Sequence, residues 1–198
     1  MTQSRLFVVR HGETEWNTQK RLQGQLDSPL TAVGIEQAYG VAKLVKAFEI
    51  ESIFSSPIGR AIKTATICAE QLKLKVYSEP SLVERDFGKW QGELFESLSG
   101  EPHFEKIFFE VTKHAPPAGE AGTDCGERIK TSLKAIAKNN REKNILIITH
   151  GDAIRCLHFM LNGESGCDAY SQYGNGHIFE LSYCHDSDEL SISENDNF

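Results

Sequence analysis

The chain has 198 residues, a formal net charge of −7 at pH 7, and 39% hydrophobic and 25% charged residues. This length suits one domain with a substantial core, and the negative charge argues against nucleic-acid binding through a general basic surface. The chain has no signal-like apolar stretch after Met1 and no apolar run of about 18 residues that would cross a bilayer. Its five scattered cysteines lack a C-x-x-C pair, which favours reduced thiols over a disulfide framework or a zinc site. We therefore expect one cytoplasmic domain, residues 1–198, with neither a membrane nor nucleic acid as a partner.

Strands and helices are predicted to alternate along most of the chain. Apolar, β-branched runs predict strands at residues 6–9, 51–54, 75–77, 145–149, 177–183 and 190–192. Amphipathic spacing, caps and prolines predict helices from Leu30 to Phe48 with a cap near Thr31, from Pro57 to about Leu72, around 104–111, from Thr123 or Asp124 to Lys138, and at 152–161. Such alternation predicts an α/β fold with a doubly wound, mostly parallel sheet. Residues 88–122 read as irregular, and residues 194–198 as a solvated tail.

The first strand ends on residues suited to ligand chemistry. The apolar run Leu6–Val9 is followed directly by Arg10, His11 and Gly12. Ligands bind at the carboxyl ends of strands in open parallel sheets. Arginine offers a planar, permanently charged fork suited to phosphate, histidine offers a nucleophilic nitrogen, and glycine lets the backbone approach a ligand. By itself, this tripeptide is equally compatible with an ordinary exit from a strand into a loop.

A second apolar strand repeats the pattern. Residues 145–149 are followed by His150 and Gly151. If the two strands are neighbours in one parallel sheet, the two imidazoles face the same crevice. The recurrence favours a functional site over a chance tripeptide.

Further blocks of sequence follow in a characteristic order and span residues 5 to about 160. Together they resemble the histidine phosphatase superfamily in its phosphoglycerate-mutase-like branch. The resemblance implies a three-layer sandwich in which residues 88–122, the cover segment, roof the active site. The matching residues are Arg10-His11-Gly12-Glu13-Thr14, Trp16-Asn17, Arg21-Leu22-Gln23-Gly24, Ser28-Pro29-Leu30-Thr31, Gly34, Gln37-Ala38, Ser55-Ser56-Pro57, Arg60-Ala61, Thr64-Ala65, Glu84, Gly88, Trp90, Gly92, Gly119-Glu120, Arg128 and His150-Gly151.

The resemblance implies covalent catalysis without a metal or a cofactor. His11 matches the histidine that carries the phosphoryl group, and covalent catalysis divides a difficult hydrolysis into two easier steps. Arg10, Arg60 and His150 match the groups that bind the phosphoryl oxygens, where fixed positive donors stabilise the transition state. Glu84 matches the carboxyl group that protonates the leaving oxygen and needs a raised pKa to do so. The rival carboxylate is Asp86, and the family register favours Glu84.

Other residues are expected to have supporting roles. Glu13 is expected to orient His11 or the arginines, Arg155 either faces the pocket or lies on a solvated helix face, and Glu120 and Arg128 look structural. The five histidines at 103, 114, 158, 177 and 185 show no metal-ligand spacing and read as surface or packing residues. The residues expected to line the phosphate or the substrate are Thr14, Asn17, Arg21, Gln23, Gly24 and Gly151.

Three activities remain open. A phosphatase passes the phosphoryl group to water, and the resemblance to small-metabolite phosphatases such as the alpha-ribazole phosphatases favours hydrolysis of a small phosphate monoester with release of inorganic phosphate. A mutase returns the group to phosphoglycerate. The family's mutases carry an arginine pair in the segment after the acid glutamate, whereas the only lysine or arginine residues of segment 93–118 are Lys106 and Lys113. Asp86-Phe87-Gly88 also replaces the mutases' His-Tyr-Gly. The third possibility is a non-catalytic or protein-directed member, a binding module that recognises phosphorylated partners. A phosphoprotein substrate would require an open site, and the intact set of His11, Glu84 and His150 argues against a loss of catalysis. Specificity is expected to come from residues 88–118 and 162–176.

Overall fold

A computed structural model of the chain describes residues 2–163 and 173–193. The tail at 194–198, most of the 162–176 segment and Cys167 lie outside the described residues. The strands are β1 (Gln3–Arg10), β2 (Ser52–Ser55), β3 (Val76–Ser78), β4 (Asn144–Thr149), β5 (Ile178–Cys184) and β6 (Glu189–Ile192). The helices are α1 (Glu15–Thr18), α2 (Ala32–Val45), α3 (Gly59–Leu72), α4 (Phe104–Phe108), α5 (Gly122–Asn139) and α6 (Gly151–Asn162), with short 3₁₀ turns at 46–48, 80–82, 88–90 and 95–98.

The strands form one mixed sheet in the order β3-β2-β4-β1-β5-β6. The pairs β3-β2, β2-β4 and β4-β1 are parallel, and β5 and β6 add antiparallel strands at one edge. This confirms the predicted three-layer α/β class. The strand order changes direction beside β1. The chain passes from β1 to β2 and β3 on one side, β4 then enters between β2 and β1, and β5 and β6 lie on the other side of β1. Such a switch point is where α/β sheets place their ligands.

Alternating side chains of the central strands supply the cores on the two faces of the sheet. Leu6 and Val8 of β1 pack with residues of α5 and α6, whereas Phe7 and Val9 pack with residues of α2 and α3. A third, smaller core joins Leu22 to the aromatic residues of the cover segment. The sheet is therefore clamped by two helices on each face, and the smaller core lies among the connecting segments.

Helix boundaries differ from the predictions by a few residues. The Thr31 side chain caps α2 by accepting from the Gly34 N–H at 3.0 Å, as predicted, but α2 ends at Val45 and a 3₁₀ turn completes the predicted span. The helix α3 begins at Gly59, two residues after Pro57. The helix α4 ends at Phe108, three residues before the predicted Val111. None of the helices within the described residues combines the length and apolar character that crossing a membrane requires.

Candidate active site

The parallel pairing of β1 and β4 brings the two predicted histidines together. Arg10 is paired with Thr149, so the next residue of each strand, His11 and His150, emerges at the same end of the sheet. The His11 N–H also donates to the Thr149 carbonyl at 3.0 Å. The centroids of the two imidazole rings lie 5.2 Å apart, and both side chains are buried. The two strands are therefore neighbours, which is the condition under which the two imidazoles face the same crevice.

Two hydrogen bonds fix the tautomer of His11. Its Nδ1 lies 2.8 Å from the Gly12 carbonyl oxygen, which only accepts, so Nδ1 carries the proton. Its Nε2 then holds a lone pair, which accepts from Nε of Arg60 at 3.1 Å. Burial lowers the pKa of His11 well below its usual range, and Arg60 and Arg10 lower this pKa further. The ring is therefore neutral at pH 7, the state that a nitrogen nucleophile needs.

Arg60 is held in place by backbone carbonyls. It lies in the first turn of α3, and its guanidinium donates to the carbonyl oxygens of Gly24 and Leu26, both at 2.6 Å. Asp27 Oδ1 lies 3.4 Å from Nη1. Because these contacts hold the side chain in one orientation, a phosphate would meet a positive group that is already positioned.

Arg10 lies across the start of α6. Its guanidinium donates to the Tyr173 carbonyl. A Cβ built on Gly151 would lie only 3.0 Å from Nε of Arg10, so the glycine leaves room for the arginine to cross the helix end. The first backbone N–H groups of a helix favour an anion. Arg10 and the amino end of α6 therefore add positive potential to the same region.

His150 has one hydrogen-bonded and one unpartnered ring nitrogen. Its Nε2 lies 2.8 Å from the Ser56 hydroxyl at the end of β2. Its Nδ1 is buried and has no hydrogen-bond partner among the described residues. Burial lowers the pKa of His150 well below its usual range, and Arg60, His11 and Arg10 lower this pKa further. A phosphate dianion would offset these cations and favour the imidazolium form of His150, which can donate to a phosphoryl oxygen.

Glu84 lies at the amino end of α6. Its Oε1 accepts from the backbone N–H groups of Ala153 at 2.8 Å and Arg85 at 2.9 Å, and its Oε2 accepts from Asp152 N at 3.2 Å. Burial and the Asp152 carboxylate raise the pKa of Glu84, although the backbone donors and Arg60 oppose the shift. The direction of this shift is the one that a general acid requires.

The structure separates Glu84 from its rival, Asp86. The Asp86 carboxylate accepts from the Gly88 N–H at 2.7 Å and does not line the cavity. Gly88 has a φ of +53°, a left-handed conformation that favours glycine. Asp86 therefore holds the turn that begins the cover segment.

One cavity contains most of the predicted site residues. Leu22, Phe87, Phe108 and Asp152 also line it. Phe87 and Phe108 are 2% and 4% exposed, so they close one side of the cavity against water. The predicted residues that line the cavity are Arg10, His11, Asn17, Gln23, Gly24, Arg60, Glu84 and Gly151.

Three predicted residues have other contacts. Thr14 does not line the cavity and instead caps α1, where its side chain and that of Asn17 each bond the other's backbone N–H. Arg21 turns away, donates to the Gly92 carbonyl and lies over the Trp16 ring. Glu13 does not contact His11, since its carboxylate accepts from the Thr31 hydroxyl and the Gly12 carbonyl fixes the tautomer.

The remaining polar residues have structural contacts. Arg128 bonds both oxygens of Glu120 and the carbonyls of Ser81 and Val83, which holds the chain just before Glu84. Arg155 is neither solvated nor in the cavity lining, because it is buried against Asp152. The five other histidines pack against neighbouring rings, and the four cysteines of the described chain are free thiols. The described residues contain no cluster of three His, Cys, Asp or Glu side chains suited to a metal.

The sequence-based prediction gave no site role to Ser56, Asp152 or the apolar lining, although Ser56 and Leu22 belong to the matching blocks. Ser56 and Asp152 each lie close to the end of a predicted strand, so their position along the chain was the available signal. Leu22, Phe87 and Phe108 carry no chemistry that sequence reveals, and three connecting segments bring them together.

Known proteins resemble this chain in sequence and in fold. Residues 6–195 match the family model of the histidine phosphatase superfamily, branch 1. A relative from Proteus mirabilis, named probable phosphoglycerate mutase GpmB, is 37% identical over 169 residues, which cover 84% of this chain and 77% of that protein.

Two solved structures resemble the fold over nearly the whole chain. A phosphoserine phosphatase mutant from Entamoeba histolytica, in complex with phosphoserine, has a TM-score of 0.84 at 28% identity and covers 98% of each chain. A mycobacterial glucosyl-3-phosphoglycerate phosphatase in complex with VO3 has a TM-score of 0.81 at 27% identity and covers 96% of each chain. On its sequence match and its architecture, the chain belongs to branch 1 of the histidine phosphatase superfamily.

Proposed function

We propose that the protein is a phosphatase that hydrolyses a small phosphate monoester through a phosphohistidine on His11, with Glu84 as the proton donor. The observation that carries this proposal is the His11 Nε2 lone pair beside the Arg60 guanidinium at 3.1 Å. A neutral nucleophile and a fixed cation at one point are what phosphoryl transfer from a dianion requires. The solved phosphatases of similar fold support the same chemistry.

In the first step, His11 Nε2 attacks phosphorus while the bond from phosphorus to the ester oxygen breaks. The proton of Glu84 goes to that oxygen, which leaves as an alcohol. The Nε–H of Arg60, which bonds His11 in the structure, would turn to a phosphoryl oxygen. Arg10 and the Nδ1 of His150 would bind the other oxygens, with His150 donating in its protonated form.

In the second step, water attacks the phosphohistidine. Glu84, now ionised, takes a proton from the water as its oxygen bonds phosphorus and the phosphorus–nitrogen bond breaks. Inorganic phosphate leaves, and both His11 and Glu84 return to their starting states. These steps use no metal ion or cofactor.

The lining of the cavity favours a phosphatase over a phosphoglycerate mutase. Arg10 and Arg60 are the only arginine or lysine side chains that the described residues contribute to it. Lys106 and Lys113 of the cover segment are exposed to solvent. A mutase must hold a second anionic group of its bisphosphorylated intermediate, which calls for further cations. The names of the curated relatives keep the mutase as the second candidate.

The buried roof favours a small ester over a phosphoprotein. Phe87 and Phe108 close the cavity with side chains that are almost wholly buried. To reach His11, a folded phosphoprotein would have to displace these rings farther than a small ester would.

A leaving-group comparison tests the role of Glu84. The change Glu84→Gln removes the acid, so kcat/KM, which reports the first chemical step and not the hydrolysis of the phosphohistidine, should fall about 100-fold or more on an alkyl phosphate such as glycerol 2-phosphate. The loss should be much smaller on p-nitrophenyl phosphate, whose leaving group needs no proton. The same comparison on Asp86→Asn is the control, and it should show no leaving-group dependence. Equal losses on both esters for Glu84→Gln would show that Glu84 is not the acid.

A further inference from the structure

Behind Glu84 lies a buried cluster of three charged side chains, Arg85, Asp152 and Arg155, which we call the Asp152 cluster. Arg155 Nε donates to Asp152 Oδ1 at 2.6 Å, and Arg85 Nη1 donates to Asp152 Oδ2 at 3.3 Å. The three residues are 0%, 7% and 4% exposed in that order. Buried charges are costly unless they are paired, so the arrangement calls for an explanation beyond packing.

The cluster contacts Glu84 through its backbone. The Glu84 carboxyl accepts hydrogen bonds from three backbone N–H groups, of which one belongs to Arg85 and one to Asp152. The side-chain pairing of Arg85 with Asp152 therefore ties together two donors that approach the carboxyl from different segments of the chain. Asp152 and Glu84 line the same cavity, and the negative charge of Asp152 acts on the Glu84 carboxyl.

The charge of Asp152 is held fixed by its partners. Burial alone would raise the pKa of Asp152, but the guanidiniums of Arg155 and Arg85 outweigh burial and hold this pKa below its usual range. Asp152 thus stays ionised at any pH where the enzyme would work. A fixed negative charge opposes the ionisation of a neighbouring carboxyl group.

We propose that Asp152, held by Arg85 and Arg155, is a positioning residue that orients the Glu84 carboxyl and keeps it protonated for transfer to the leaving group. The inference rests on the proposed function, since it needs Glu84 as the acid. Other groups act on Glu84 as well: Arg60 opposes protonation from within the cavity, and the Ala153 N–H favours the carboxylate. Arg128, paired with Glu120, lies 3.5 Å from the Glu84 carbonyl oxygen.

The alternative role for the cluster is to hold the cover segment. The Ile107 carbonyl accepts from Arg85 at 2.9 Å and from Arg155 at 3.4 Å, and Arg85 also donates to the carbonyls of His114 and Glu120. A purely structural cluster would affect stability and substrate access. It would leave the pH at which the acid loses its proton unchanged.

The test is the pH dependence of kcat on glycerol 2-phosphate for the wild-type protein and Asp152→Asn. In the neutral variant, the alkaline limb of the profile, where kcat falls as pH rises, should move to lower pH by about one to two units, because the charge that repels the ionised Glu84 is gone. Asp152→Glu keeps the charge and should restore most of the wild-type limb. A limb that stays in place in Asp152→Asn, or one that Asp152→Glu fails to restore, would overturn the proposal.

A paired variant keeps the test usable if Asp152→Asn does not fold. The double change Asp152→Asn with Arg155→Gln removes one charge of each sign, so the net buried charge is unchanged. It should show the same direction of shift, and a wild-type limb in this variant would equally overturn the proposal. Glu180→Gln is the matched control, because it also breaks the ion pair of a buried carboxylate, with Arg5 at 2.7 Å, and neither residue lines the cavity. It should lower stability and leave the limb in place.

The outcomes separate this inference from the proposed function. If the wild-type protein hydrolyses no phosphate ester, or if Glu84→Gln leaves the alkaline limb intact, the assignment of Glu84 fails first. If the limb depends on Glu84 but not on Asp152, the present inference alone is wrong.

Discussion

At the scale of single residues, the site depends on side chains that local contacts fix before a ligand arrives. The Gly12 carbonyl sets the tautomer of His11, and the carbonyls of Gly24 and Leu26 orient Arg60. A cation that is already oriented loses little conformational entropy when it binds an anion. This arrangement makes the contribution of each group measurable with a simple anion.

Replacement of Arg60 tests the phosphate clamp. Arg60→Ala should weaken sulfate binding by about 1.5–3 kcal/mol, the value of one charge-assisted hydrogen bond, as measured by isothermal titration calorimetry. Arg21→Ala removes the same charge from a side chain that contacts Gly92 and Trp16 outside the cavity. Its affinity for sulfate should match that of the wild-type protein. Equal losses in the two variants would mean that Arg60 contributes only general charge.

Single residues also show where sequence reasoning succeeds and where it fails. Arg10, His11, Arg60 and Glu84 were predicted because a motif fixes their spacing, and all four line one cavity. Arg21 belongs to the same blocks, yet it turns to the Gly92 carbonyl because that partner is closer. Asp152 carries no motif, and its pairing with two arginines arises only when α6 packs beside the Glu84 loop.

At the scale of elements, the cover segment is held by aromatic stacking more than by regular structure. Phe108 of α4 stacks on Phe87 with ring centroids 5.4 Å apart and meets Phe95 edge-on at 4.7 Å. These contacts belong to the smaller core that includes Leu22. Because this core is separate from the two sheet cores, the cover segment can loosen while the sheet stays folded.

A substitution in the cover segment tests that independence. Phe108→Leu removes the stacking on Phe87 but keeps an apolar side chain, so hydrogen exchange should speed up at residues 104–114. The amides of β1 and β4 should keep their protection. Phe54→Leu, which removes a ring that stacks on Tyr77 at the sheet edge, is the control and should leave residues 104–114 unchanged. Faster exchange throughout the sheet in Phe108→Leu would show that the cover segment and sheet unfold together.

Physical reasons explain why the sequence-based prediction missed helix α1 and misplaced the start of helix α5. The four-residue α1 is too short to show a hydrophobic period, and its capping box with Thr14 stabilises it. The helix α5 begins at Gly122 although glycine is a poor helix former. A Cβ there would lie 3.3 Å from Val111 and 3.4 Å from Arg85, so packing selects glycine at this position. The strands were predicted more closely because their buried apolar runs leave few alternatives.

At the scale of the whole molecule, a protein with a net charge of −7 concentrates positive charge at one end of its sheet. Burial lowers the pKa values of both His11 and His150, and Arg60 and Arg10 lower them further, so both rings are neutral at pH 7 in the absence of an anion. A bound dianion offsets the arginines and raises the histidine pKa values. Anion binding should therefore be coupled to proton uptake.

This coupling predicts a direction for the pH dependence of binding. Because the anion-bound protein holds protons more tightly than the free protein, affinity for sulfate should rise as pH falls from 8 to 5. Sulfate keeps its charge over this range, so the change belongs to the protein. His150→Asn should flatten the dependence measured by calorimetry. An affinity independent of pH in the wild-type protein would contradict this account of the two histidines.

The most direct measurement of the central claim is the capture of the covalent intermediate. The protein is mixed with p-nitrophenyl phosphate, quenched with alkali within a turnover, digested with trypsin under non-acidic conditions and analysed by mass spectrometry. We predict one phosphoryl group on the peptide of residues 11–20, which contains His11 as its only histidine, and its loss on brief acid treatment. His11→Ala should give no labelled peptide and no turnover. Turnover by His11→Ala, or a label on another histidine, would contradict the mechanism.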